Sequence, residues 1–547
     1  MNARNNMKIL KNTILILITL VASFLSGCKD KNQNNQNETE VVVSSYSEED
    51  LYRPNFHFTP KKGWMNDPNG MFYKDGYYHL YFQHYPEGNT WGPMHWGHAI
   101  STDMVTWKEM PIAIYPDEKG YIFSGSAVVD VNNSSGFSKN GIEPIIAMFT
   151  YHDMDGEKAG KTNYQSQAIA YSLDEGKTFT KYAENPVIKN PGIKDFRDPK
   201  IVWDSIHNKW LMVLAAGQKI MFYSSSNLKD WKLESDFGDD IGGHGGVWEC
   251  PDFFPMVVQG TDEIKWVLFV SINPGGPNGG SATQYFVGDF DGKQFKIDAS
   301  FENDINNMEH KSIWIDYGRD NYAGVTWANI PDTNGRKLFM GWMSNWDYAN
   351  IVPTETWRSA TTLARSVELQ KIDSSYRLLF QPVKELFNYR STKFKKESIV
   401  IKRAEKIIDS KSIDLSSTEI NFKILDLKNS SFTFKLTNKQ GDTLAFGYNN
   451  GEKNFFIDRR KSGKTGFSEK FANRVSLAKR TSLNPDLLGT IILDKTSIEL
   501  FFDNGETVIT EIFFLNSPFS ELSIEPKDQE FILGKIEIHK LNINQIK

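Results

Sequence analysis

The sequence predicts an all-β fold, a five-bladed β-propeller followed by a C-terminal β-sandwich, and three observations carry that reading. Between Leu51 and about Phe380 the apolar runs are short, often alternating, and broken by Gly, Asn, Asp and Pro, as at 77–82 and 265–270. That is strand periodicity with no sustained helical period. Within the same span a degenerate turn recurs: STDMVTW ending at Trp107, SLDEGKTF ending at Phe179, SNLKDW ending at Trp231 and DFDGKQF ending at Phe295. An aromatic closing a β-turn once per four-stranded unit is the pattern of radially packed blades, which hide their sheet edges, and about five fit the length. A single large sandwich or jelly roll gives no reason for the recurring turn. Third, after 377–386 the composition shifts toward Lys, Ser, Ile and Phe, with alternating runs at 431–436 and 497–502 and polar turns such as Asp503-Asn504-Gly505. This is expected of a β-sandwich.

Taken in order, the chain divides into a leader at 1–27, a tether at 28–50, the propeller at 51–380 and the sandwich at 390–547. The leader carries Arg4, Lys8 and Lys11, then an apolar run at 13–25 that ends in Ser26-Gly27-Cys28, the pattern of a secretory signal and too short to span a bilayer comfortably. LSGC resembles the lipobox of bacterial lipoproteins, which implies lipidation of Cys28 and a protein anchored to a bacterial membrane, facing the periplasm or the cell surface. Residues 29–50 are almost devoid of large apolar side chains and cannot bury enough surface to fold alone. Only Cys28 and Cys250 are present, so no disulfide framework supports the fold and a large hydrophobic core must do so. The net charge of −6, with both signs interspersed, offers no basic stripe for nucleic acid.

Three acids stand in similar wrapping: Asp67 in WMNDPNG, Asp198 in FRDPK and Glu249 in WECPD, each with a nearby proline and aromatic neighbours. Asp67 precedes a proline and an Asn-Gly pair, so a bend is expected there, and three such stations suggest a site assembled from several loops. Glycoside hydrolysis requires one ionised carboxylate as nucleophile and one protonated carboxyl as general acid. The amide of Asn66 is expected to keep Asp67 ionised, apolar neighbours to favour protonation of Glu249, and Arg197 to keep Asp198 charged. His95 and His98 flank Trp96-Gly97 with no third ligand nearby and are read as structural, so no metal and no cofactor is expected. Cys250 lacks a local base and reads as a buried wall residue. The glycine-rich stretch 273–292 has neither the Lys-Ser/Thr nor the following helix of a phosphate loop, and reads as a connection between strands near the site.

Together and in order, WMNDPNG, FRDP and WECPD resemble the acidic motifs of glycoside hydrolase family 32, the invertases, inulinases and levanases. LDKTSIELFFDNG at 493–505 resembles that family's closing hairpin. The resemblance implies a retaining double displacement on a β-fructofuranosyl unit, with Asp67 as nucleophile, Glu249 as acid/base and Asp198 as transition-state stabiliser. It also implies sugar contacts from Trp64, Asn66, Gln83, Trp91, Phe123, Ser124 and Arg197, and it draws DNYAGVTW at 320–327 close to the substrate. Without it, Trp91, Phe123, Trp342 and Trp346 would be read as blade core; the resemblance reverses this for Trp91 and Phe123 only. The substrate expected is levan, inulin or their oligosaccharides, with sucrose a further candidate, attacked from the chain end. An endo-levanase, an inverting arabinanase-type propeller and a non-catalytic surface glycan-binding lipoprotein are the alternatives. Linkage preference and oligomeric state stay open.

Overall fold

Alternating side chains in short runs give each strand one face for each neighbouring layer, and among the described residues 33 strands form seven sheets. The computed structural model describes residues 47–545, apart from 309–310, 332–335, 410 and 412. The leader, Cys28 and most of the tether lie outside the described residues. Residues 47–50, assigned to the tether from sequence, form a capping box in which Ser47 and Asp50 satisfy one another's backbone at the start of the short helix Glu48–Tyr52.

Five sheets of four or five strands follow. Their innermost strands are Gly63–Lys74, Tyr121–Val129, Phe196–Asp204, Val247–Val257 and Tyr322–Thr326. Each packs against the next, and the fifth packs against the first, so the strands close a ring. The five-bladed propeller expected from the turn repeat is therefore present. The first blade also takes the short strand Trp357–Arg358 in parallel alongside Gly63 and Trp64, joining the last blade to the first.

The repeated turn has one structural role: it links the third and fourth strands of blades one to four. In the first blade the Ser101 hydroxyl accepts from the backbone of Asp103 (3.1 Å) and Met104 (2.7 Å), and Asp103 Oδ1 accepts from Val105 (2.9 Å) and Thr106 (2.8 Å). Ser225 and Asn227 repeat this in the third blade. Trp107 and Phe295 then insert between blades as core.

Two six-stranded antiparallel sheets form the C-terminal sandwich, with Phe422, Phe434, Phe446, Phe455 and Phe502 in its core. The hairpin read at 493–505 consists of Leu487–Asp494 paired with Ser497–Phe502. Acids of this sandwich point into its seam with the propeller. His57 Nδ1 lies 2.8 Å from Asp494 and its Nε2 2.9 Å from Glu499, while Arg365 bridges Glu499 and Asp316 (2.9 Å). All five side chains are fully buried.

Candidate active site

Every innermost strand carries a bulge at the same level. In the first blade Asn66 pairs with Gln83 and Pro68 with Phe82, leaving Asp67 without a partner. Pairing skips residues 123–124 in the second blade, 198–199 in the third, 250–251 in the fourth and 323–324 in the fifth. A bulge re-aims a side chain out of the alternating pattern, here toward the propeller axis. Asp198 (φ +65°), Cys250 (φ +44°) and Ala323 (φ +53°) all adopt the left-handed region there. Pro68, Pro199 and Pro251 follow Asp67, Asp198 and Cys250, where a missing N–H costs no ladder bond. The three acidic motifs are thus bulged strands, and the turns and loops expected from their prolines are corrected: in a propeller the inner strand itself lines the axis.

The backbone of the third bulge is clamped by the second blade. The Gln165 side chain accepts from Phe196 N (2.8 Å), the Gln167 amide donates to Phe196 O (2.9 Å), and the Thr150 hydroxyl accepts from Asp198 N (3.0 Å). Asp198 Oδ2 in turn accepts from Cys250 N at 3.0 Å. The Cys250 thiol sits 3.7 Å from Asp67 Oδ2 and 3.6 Å from Asp198 Oδ2, and burial pushes its ionisation well up, so it remains a neutral wall between two acids.

Asp67 Oδ2 accepts from the Ser124 hydroxyl at 2.8 Å, while Oδ1 is buried with no protein partner. The Trp64 indole N–H donates to Asn66 Oδ1 (2.7 Å) and so fixes the orientation of that amide. Gln83, opposite Asn66 on the neighbouring strand, is buried and its side-chain amide nitrogen is unpartnered. Trp64 is buried, with Trp346 stacked on it at 5.8 Å. Trp91 and Phe123 meet edge to face at 6.0 Å, both half-buried. Trp346 is half-buried beside them, whereas Trp342 is fully buried. Trp346, read from sequence as core, is therefore part of the wall.

Arg197 differs most from its expected role. Its Nη2 lies 2.7 Å from Glu249 Oε1 and its Nη1 2.7 Å from Asp195, whereas Asp198 is 3.8 Å from Nε. The second Glu249 oxygen accepts from the Tyr322 hydroxyl. Glu249 thus has a cation and a phenol around its carboxylate, where apolar surroundings were expected. Asp198 is pushed up to about 7, first by burial and then by Glu249 and Asp67, against the pull of Arg197. Asp67 is pushed up to about 6 by burial, with Glu249 adding and with Asn66 and Ser124 opposing. Desolvation outweighs the amide that was expected to keep it low. Tyr322 lies in the segment 320–327, but nothing in its local sequence marks its hydroxyl as a partner of Glu249; only the ring of blades brings the two together.

Further along the inner strands a polar floor ties the blades. Lys200 Nζ lies 3.1 Å from Asp252 and donates to Thr326 O at 2.6 Å, and Asp252 accepts from Thr326 N (2.6 Å) and Oγ1 (2.7 Å). Asp252, the second acid of WECPD, is thereby structural. His95 Nδ1 donates to Pro93 O at 2.9 Å, and His98 stacks on Tyr81 at 4.3 Å and meets His79 at 3.0 Å.

A propeller whose inner strands gather three acids, one of them bound to the backbone of the next blade, beside an aromatic wall defines a carboxylate glycosidase site. The sequence matches the Glycosyl hydrolases family 32 N-terminal domain over residues 57–382 and the family 32 C-terminal domain over 385–542. The chain belongs to glycosyl hydrolase family 32. It is 45% identical over 510 residues to a levanase of Bacillus subtilis, covering 93% of this chain and 72% of that protein. It is 40% identical over 509 residues to an extracellular exo-inulinase of Aspergillus ficuum, covering 86% and 91%. Among solved structures it is similar to the exo-inulinase of Aspergillus awamori (TM-score 0.83, 34% identity, covering 91% and 99%). It is also similar to the fructofuranosidase of Schwanniomyces occidentalis complexed with fructose (TM-score 0.80, 35% identity, covering 91% and 100%).

Proposed function

We propose that the protein is a retaining, exo-acting β-fructosidase that releases fructose from the ends of levan or inulin chains. The observation that carries this is the assembly of Asp67, Asp198 and Glu249 on three bulges above one polar floor. Asp67, with a buried oxygen that no protein group satisfies, is the nucleophile on the anomeric carbon. Glu249 protonates the departing oxygen, and Arg197 and Tyr322 stabilise the carboxylate this leaves. The same carboxylate then takes a proton from the water that hydrolyses the fructosyl-enzyme. Asp198, held by the backbone N–H of Cys250, is the transition-state stabiliser, binding sugar hydroxyls.

Exo action is supported by the floor of Lys200, Asp252 and Thr326 and by the wall of Trp64, Trp91, Phe123 and Trp346, which suit one terminal ring. The relatives' names include both a levanase and exo-inulinases, so both linkages are candidate substrates. The test is the product ladder in the first few per cent of levan and inulin digestion. Fructose alone is expected; a spread of fructo-oligosaccharides at that stage would overturn exo action and leave the catalytic roles standing. Three carboxylates in one pocket disfavour a purely glycan-binding role.

We further propose that Cys28 carries a lipid anchor that holds the enzyme on the membrane, on the strength of the LSGC motif after the apolar run. Cys28→Ala is expected to move the protein from the membrane to the soluble fraction; retention on the membrane would refute the anchor.

A further inference from the structure

In the second blade the connection between the second and third strands carries a short helix. The second strand, Ile145–His152, ends at the level of the acids, and the short helix Met154–Lys158 follows before the next strand, Gln165–Ser172. Asp153 caps that helix by accepting from Gly156 N at 2.9 Å. His152 is buried, and its ring lies flat against Phe123, with centroids 4.2 Å apart and planes 10° apart. The edge of Trp91 meets Phe123 at 6.0 Å. Phe123 is thus held between a histidine and a tryptophan.

Both imidazole nitrogens are engaged. Gln165 Oε1 accepts from Phe196 N, so its amide group is the donor to His152 Nδ1 at 3.2 Å. Nδ1 is therefore the acceptor, and the proton sits on Nε2, which donates to Glu157 Oε2 at 3.0 Å. Burial holds the ring below the ordinary histidine value; Glu157 and Asp153 pull it up and Arg197 pushes it down. A neutral imidazole with both nitrogens satisfied is a rigid backing plate. It also shares Gln165 with the backbone that leads into Arg197 and Asp198.

We propose that His152 is a positioning residue for substrate binding, holding Phe123 as one wall of the fructosyl pocket, and that Glu157 on the short helix fixes its rotamer. This rests on the fructosidase reading above. It assigns the helical connection a role in affinity for the terminal sugar, acting through Phe123 and not through the reacting atoms.

The test is steady-state hydrolysis of a fructo-oligosaccharide, with fructose as competing product, by the full-length enzyme and three variants. His152→Ala removes the plate and is expected to raise KM and the fructose inhibition constant about tenfold, with kcat changed by less than about threefold. His152→Phe restores the flat stack without the hydrogen bonds and is expected to recover most of that loss. Glu157→Ala alters an exposed residue, leaves folding intact and is expected to raise KM about two- to threefold. An unchanged KM in Glu157→Ala together with His152→Phe no better than His152→Ala would overturn the proposal, as would a fall in kcat at constant KM. If His152→Ala does not fold, the other two variants decide. Wild-type enzyme inactive on every fructan would instead remove the functional reading beneath it.

Discussion

In its proposed role as nucleophile, Asp67 sits in a conflict. A nucleophile must be ionised, yet burial pushes its carboxyl up to about 6, so activity on the acid side should follow its deprotonation. kcat/KM is expected to fall below neutral pH with an inflection near 6; an acid limb near 4 would show that burial costs this carboxylate little. Asp67→Asn should lower kcat by roughly four orders of magnitude or more, because covalent catalysis has no substitute nucleophile in the pocket. The same change should stabilise the fold at pH 7. A carboxyl raised from 3.8 to about 6 disfavours the native state increasingly as pH rises through that interval. The variant should therefore unfold at a temperature roughly 1–3 °C higher at pH 7, with the gain gone below about pH 3.8. Glu249→Gln should lose less activity on a substrate with an activated leaving group than on levan, since such a group needs little protonation. Equal losses on both would contradict the acid role.

At the scale of the element, the bulged inner strand is the device that makes the site. The Asp-Pro and Cys-Pro pairs were visible in the sequence, but a proline beside an acid marks a turn as readily as a bulge. What decides between them is the neighbouring strand, which the local sequence does not contain. Gly70 shows the tightness of the result: at φ +57° an added Cβ would stand 2.7 Å from the Trp96 ring and 2.9 Å from Tyr81. Both rings are fully buried and cannot retreat. Gly70→Ala is expected to cost about 2 kcal/mol or more, read from denaturant unfolding, and to reduce kcat through displacement of Asp67 three residues away. A cost under about 0.5 kcal/mol would show that the strand can shift to accommodate a methyl group.

Over the whole molecule, the propeller and sandwich are joined through charges that neither part could bury alone. Arg365→Met would leave Asp316 and Glu499 in the seam without their shared cation, and is expected to cost about 3–5 kcal/mol of stability. The pH dependence has two signs. His57 is raised to about 9 by Asp494 and Glu499 in spite of its burial, so its contribution is complete below 6.5 and is lost as pH climbs through about 9. Arg365 and His57 hold Glu499 down to about 2 against its burial, so its contribution is complete above 4.5 and is lost as pH falls through about 2. These two groups together stabilise the seam fully from about pH 4.5 to 6.5, and in thermal unfolding across pH His57→Gln should flatten the alkaline decline. An unchanged alkaline slope in that variant would place the effect elsewhere.

The sequence by itself determined a propeller of about five blades, the sandwich and the three acidic motifs, because turn chemistry and strand alternation are local and the acidic motifs are short. The family resemblance also drew attention to Trp64, Asn66, Gln83, Trp91, Phe123, Ser124 and Arg197; the ring of blades sets Ser124 on Asp67, Arg197 on Glu249 and Trp91 against Phe123. Only the tertiary structure decided how these groups act on one another. Arg197 stands two residues from Asp195 and one from Asp198, yet its strongest carboxylate contacts are shared between Asp195 and Glu249, 52 residues further along the chain. Tyr322 reaches Glu249 from another blade, and burial, which no single segment specifies, sets the protonation of Asp67 and Asp198 against the expectation from their neighbours. Electrostatic free energy depends on distance and solvent exclusion in three dimensions, and a chain read in order contains neither.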